Sequence, residues 1–227
     1  MTRRTRTGGR RLQFAGPVML AMWSLAAGAG APAFAQGERI PLFPAGTPVA
    51  VLPLQSAAPL ASGAWPGGNS SLEETLRAFD SELGFAMAEH RGSAAWASPD
   101  AVVRRVGRNP TVRVTPRRLA YQGLRAPIKG QIYEPLHGEL RAVAALFETR
   151  YVVLPLAVSA PRYSPEEGEP SAASAGHVRP TLLVALIDIR RSHVMWHGEI
   201  KSVPAEPGSP ALLAQLAQRV VNVLAPQ

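Results

Sequence analysis

Apolar residues recur along this chain with two periods, and the alternation between them outlines a single α/β domain. Val49-Ala50-Val51-Leu52-Pro53-Leu54 is a continuous apolar run closed by proline, the pattern of a buried strand. After a stretch rich in Ser, Ala, Gly and Pro, Ser71-Leu72-Glu73-Glu74 forms a capping box. Its serine can accept from the N–H three residues on, and Glu74 can reach back. Leu72, Leu76, Phe79, Leu83 and Met87 follow at helical spacing and predict one apolar face. Arg77, Asp80 and Glu89 fall off that face.

Ser98-Pro99-Asp100 opens a short helix with proline in its first turn, and Thr115-Pro116-Arg117-Arg118-Leu119 reads as a second such start. Glu134-Pro135-Leu136 opens a further helix with Leu136, Leu140, Val143, Ala144 and Phe147 on one stripe. Tyr151-Val152-Val153-Leu154-Pro155-Leu156 repeats the Val-Leu-Pro-Leu of the first strand, although the residues after the two runs differ. Residues 159–180 have the Pro/Gly/Ser composition of a flexible loop. Leu182 to Ile189 is an apolar strand broken only by Asp188; Arg190-Arg191-Ser192 is turn-like, and His193 to Lys201 is its partner strand. Leu212, Leu216, Val220 and Val223 then mark a closing helix. The expected fold is α/β, a single mixed sheet of about four to five strands flanked by helices, with a long β-hairpin before the C-terminal helix. Residues 49–227 form that domain, after a lead-in at 36–48.

The start of the chain changes how its charge is read. Arg3, Arg4, Arg6, Arg10 and Arg11 precede an apolar stretch from Phe14 to about Ala27, and Ala33-Phe34-Ala35 is a small-x-small exit before Gln36. Residues 1–35 therefore read as a cleavable signal peptide, with Ala33, Ala35 and Gln36 at the cleavage site. Gly16, Pro17, Gly28, Gly30 and Pro32 interrupt the stretch, against a spanning helix of about 20 apolar residues. Arg10-Arg11-Leu12-Gln13-Phe14 resembles a twin-arginine export signal with its phenylalanine one place late. Of the net +8, the first 35 residues carry five positive charges, leaving 19 basic and 16 acidic residues. The high pI of the precursor is thus no argument for nucleic acid. There is no cysteine for a disulfide or for acylation after the signal, so a soluble periplasmic or secreted protein is expected, with no transmembrane segment after cleavage.

The opening strand, Arg150-Tyr151-Val152-Val153 after a helix, and above all the pair Leu186-Ile187-Asp188-Ile189-Arg190 and Val194-Met195-Trp196-His197-Gly198 carry a resemblance. The order is similar to the small α/β domain shared by the amino-terminal part of the translocation protein TolB, the curli secretion protein CsgG and the penicillin-binding-protein activator lipoproteins. The resemblance implies a periplasmic scaffold or adaptor domain. The chain departs from it in having no lipidation cysteine and no room for the TolB propeller.

Catalytic motifs are absent from the sequence. No Gly-x-Ser-x-Gly, dinucleotide-binding or phosphate-loop pattern occurs, so no cofactor and no enzyme activity are expected. His193 and His197 on one strand would share a face roughly 13 Å apart, too far for one metal, and read as solvated. His90 ends a helix, where it suits the dipole. Glu166, Glu167 and Glu169 belong to the loop, and Trp65 and Trp96 read as loop anchors on the core.

Charge is the one uneven feature. Arg104, Arg105, Arg108, Arg113, Arg117, Arg118, Arg125 and Lys129 occur with no acidic residue in 101–130, while the rest of the mature chain is acidic by five. This segment is the candidate contact for an envelope protein or an anionic envelope polymer or lipid surface. Two other readings stand beside it: a hydrolase-type enzyme whose site is assembled from distant residues, and an assembly subunit that pairs through an exposed strand edge.

Overall fold

The computed structural model describes residues 43, 46–57, 71–90, 95–124, 130–164 and 176–224. The signal segment with Ala33, Ala35 and Gln36, Trp65, Arg125, Lys129 and the three loop glutamates lie outside them. The elements are β1 Pro48–Val51, β2 Ser56–Ala57, α1 Leu72–Glu89, β3 Ala95–Ala97, α2 Pro99–Gly107, a 3₁₀ turn Tyr121–Leu124, β4 Gly130–Gln131, α3 Leu136–Leu146, β5 Tyr151–Ser159, β6 Thr181–Asp188, β7 His193–Lys201 and α4 Ala211–Leu224.

One mixed sheet runs β3-β1-β5-β6-β7-β4, with β2 continuing along the β1 edge of β5. β3, β1 and β5 are parallel; β5, β6, β7 and β4 alternate. This is larger than the four to five strands expected. The additions, β2, β3 and β4, are two or three residues long, too short to display a period.

Alternation along the strands builds a core on each face. Val49 and Val51 of β1 pack with Phe79 and Leu83 of α1 and Leu216 and Val220 of α4. Ala50 and Leu52 pack with Val102 of α2 and Leu140 and Val143 of α3. The fold is therefore three layers, helix–sheet–helix.

The two prolines of the repeated Val-Leu-Pro-Leu explain the irregularities. The expected strand 49–54 breaks at Pro53, and the chain rejoins β5 as β2. In β5, Pro155 has no N–H for the ladder, and the β6 pairing shifts register between Pro155 and Ala157.

Helix α1 has its capping box in place at Ser71 and Glu74. Its face is rotated from the predicted one: Leu72 is 56% exposed, while Asp80, placed off the face by periodicity, is fully buried. Thr115–Leu119 forms a turn rather than a helix start, with Arg118 N–H donating to the Thr115 carbonyl at 2.8 Å. The end segments of the 159–180 loop are tied down, since Val178 bridges both Arg162 and Ala205. Trp96 lies in β3, against the α1/α4 core and edge-on to Phe43.

In the hairpin, a bulge sits at Met195, between the pairs Leu186–Trp196 and Ile187–Val194. Val194 and Trp196, two apart, consequently face opposite cores. His193 and His197 flank this break, so the sharing of a face expected from strand period does not hold.

Candidate anion-binding surface and the buried cluster behind it

Helix α2 presents the basic segment. Ser98 caps it, its hydroxyl accepting from Ala101 N–H at 3.3 Å, with Pro99 in the first turn. Val102 and Val106 are buried on the sheet, which leaves Arg104, Arg105 and Arg108 exposed near the helix C-terminus. That end suits cations through the helix dipole. The Arg105 guanidinium lies 4.8 Å from the ring centroid of Phe147, just after α3. Arg113 and Arg118 are exposed on the connection that follows. None of these five arginines has a carboxylate within salt-bridge distance among the described residues.

Arg117 behaves differently. It turns inward and forms a very short ion pair with Asp80, with Asp100 4.0 Å away. The other Asp80 oxygen accepts from the N–H of Leu54, just past the break at Pro53, at 2.8 Å. Burial pushes the Asp80 carboxyl up to about 6, against the lowering effect of that N–H and of Arg117. Beside this pair, buried Gln55 donates to the Pro53 and Pro116 carbonyls at 2.7 and 2.8 Å, and its oxygen accepts from Leu119 N–H at 3.0 Å. Further along, Ala120 N–H donates to Glu139 at 2.9 Å, and His197 Nε2 lies 2.7 Å from the Leu124 carbonyl. His197 is thus an anchor for the 3₁₀ turn and not a solvated residue. These bonds tie residues 116–124, the stretch that carries Arg118 and follows Arg113, to the body of the fold.

Of the predicted contact residues, the structure brings Arg104, Arg105, Arg108, Arg113 and Arg118 to the surface, and gives Arg117 a structural partner. Sequence reasoning missed Asp80 and Gln55. Asp80 left one signal, a carboxylate three residues from Leu83 and one from Phe79 on a predicted core helix.

A second polar group lies at the hairpin turn. Ser192 Oγ is 2.8 Å from His137 Nε2, and His137 Nδ1 is 3.4 Å from Glu134 Oε1. Ser192 has φ +52°. The atom order matches a hydrolytic triad. Glu134 is 69% exposed along its side chain, however, and the nearby amides of Ser192 and Arg191 are engaged by the Ile189 carbonyl and Asp188. An oxyanion site needs free donors. Beside this turn, Arg150 makes a two-pronged ion pair with buried Asp188, 2.9 Å from its Nε, and those bonds hold the Asp188 carboxyl below the usual range.

Among the described residues, no three His, Asp or Glu side chains converge to hold a metal, and no helix is long and apolar enough to cross a membrane.

The fold and this surface define a three-layer α/β domain with an arginine-lined face. No family model and no curated protein matches the chain. Among solved structures it is similar to the LpoB C-terminal domain from Escherichia coli, at 15% identity, covering 71% of this chain and 85% of that one, with a TM-score of 0.36. Lipoprotein GNA1162 from Neisseria meningitidis is similar at 13% identity over 78% and 96% of the two chains, TM-score 0.37. The hypothetical protein CT253 from Chlamydia trachomatis is similar at 12% identity over 79% and 98%, TM-score 0.38. LpoB belongs to the activator group of the resemblance; neither TolB nor CsgG is among these three.

Proposed function

We propose that this chain is a non-enzymatic, exported adaptor domain of the cell envelope, and that it binds a protein or anionic envelope partner through Arg104, Arg105, Arg108, Arg113 and Arg118. The observation that carries the reading is the lack of carboxylate partners for these five exposed arginines among the described residues. Arg104, Arg105 and Arg108 belong to α2 and its C-cap, seated by buried Val102 and Val106. Arg113 precedes, and Arg118 falls within, a stretch pinned by Gln55, Asp80 and Glu139. Charges held in place and left unpaired favour an incoming anion over internal stability. The signal-like residues 1–35 and the resemblance to periplasmic domains support the location. Arg125 and Lys129 belong to the same proposed contact. Changing the five arginines together to glutamine, with Arg117 kept, is expected to lower recovery of envelope partners in crosslinked pull-downs by about tenfold, the scale of 1.4 kcal/mol. Unchanged recovery would exclude this role for the surface.

A second reading, a hydrolase, is favoured by one observation, the Ser192–His137–Glu134 order. A fluorophosphonate probe tests it directly: labelling of the wild type, lost in Ser192→Ala, would establish a reactive serine. No labelling is expected, because the neighbouring amides are occupied.

A further inference from the structure

An open cleft of about 520 Å³ lies where β1 and β5 begin, between the end of α3 and the hairpin turn. We infer that it seats an acidic peptide segment of the partner protein, with Arg190 receiving a carboxylate. This rests on the proposed function, in which the arginine surface faces a partner, and it names that partner's class at a defined subsite.

Three features lead there. The first is shape: the lining is mixed, with Pro48, Ala144, Ala145 and Tyr151 beside Thr47 and Thr149, and the volume falls in the range of about 300–1,000 Å³ that encloses small ligands or a few side chains. A flat lipid surface cannot enter such a concavity, and an extended peptide can.

The second is charge. Arg150 is turned onto Asp188, and Arg191 lies 3.9 Å from the same carboxylate, so both already have a partner. Arg190 lines the cleft, is exposed, and has no carboxylate within salt-bridge distance among the described residues. Glu148 lines the cleft too and is the charge that an incoming acid would meet as a repulsion.

The third is continuity. Arg105 stacks over Phe147, which precedes the cleft residue Glu148 in sequence, so one α2 arginine lies against the end of α3 that the cleft borders. A segment lying across α2 would pass over Phe147 into the cleft.

Arg190 and Glu148, the two lining charges without a salt-bridge partner among the described residues, make opposite predictions. A photo-crosslinking side chain placed at exposed Ala145 in the full chain reports occupancy, with a labelled decapeptide of alternating Glu and Ala as the probe and its Gln counterpart as control. The Glu peptide is expected to crosslink and the Gln peptide to stay near background. Arg190→Glu should reduce the yield about tenfold, Arg190→Gln less, and Glu148→Gln should raise it about twofold. Equal crosslinking of both peptides, or a yield unmoved by Arg190→Glu, would overturn the inference. A combined Arg104, Arg105 and Arg108 to glutamine variant separates the two proposals. If it abolishes crosslinking while Arg190→Glu does not, the cleft fails and the arginine surface stands. If Arg190→Glu abolishes it and the combined variant leaves it unchanged, the arginine surface fails and the cleft stands.

Discussion

Asp80 shows how a single residue organises its surroundings at a cost to stability. Its carboxylate supplies the acceptor that Leu54 N–H needs after Pro53 interrupts the strand, and it turns Arg117 away from solvent. With a folded pKa near 6 against 3.8 when exposed, the folded protein holds the proton more tightly than the unfolded chain. The associated stability is therefore fully present below about pH 4 and lost as pH rises through 6, by about 3 kcal/mol at one pKa unit per 1.36 kcal/mol. Urea unfolding of the wild type should show this decline between pH 4 and 6, and Asp80→Asn should flatten it. Asp188, held low by Arg150, acts below that window with the opposite slope, and Asp100 and Arg117 are the charges facing Asp80. Arg117 and Arg118 make a matching pair. Arg117→Ala leaves the Asp80 charge buried and should cost about 3 kcal/mol or more, whereas Arg118→Ala should stay within about 0.5 kcal/mol; denaturation midpoints distinguish them. Neither role was legible in sequence, where the two arginines are adjacent and alike.

At the scale of elements, the longer periodic segments were read correctly in kind and less well in rotation. Leu140, Val143 and Ala144 of α3 are buried as their spacing predicts, and so are Leu212, Leu216 and Val220 of α4. Helix α1 deviates because a broken strand edge next to it demands an acceptor, which pulls Asp80 inward. The hairpin was visible from its two apolar runs, and the Met195 bulge was not, since one inserted residue leaves composition unchanged. Two glycines test the packing of these elements in opposite directions. A Cβ at Gly84, within α1, would meet only Ser98 Cβ at 3.8 Å, so Gly84→Ala should stabilise by about 0.5–1 kcal/mol through helix propensity. At Gly198 of β7 a Cβ would lie 2.8 Å from the buried Trp196 ring, so Gly198→Ala should destabilise by about 1–3 kcal/mol through overpacking. Thermal melts of both variants check the signs.

For the whole molecule, the proposed arginine contact makes binding electrostatic at long range. Partner capture by the wild type should weaken steeply between low salt and 0.5 M salt, where the screening length is well under the about 10 Å of 0.1 M, and the five-arginine variant should show a flatter dependence. Several things were decided by the sequence alone: the α/β class, the order of the principal helices and strands, and the crowding of basic residues into 101–130. Each follows from local periodicity or composition, which does not depend on what packs where. The tertiary structure decided the rest. It extended the sheet with strands of two and three residues, because backbone pairing needs only an open edge and leaves no period. It also sorted the basic residues, giving Arg117 to a buried carboxylate 37 positions away and leaving Arg104, Arg105, Arg108, Arg113 and Arg118 outward. That sorting depends on which charges the fold brings within a few ångströms, a distance that separation along the chain does not specify.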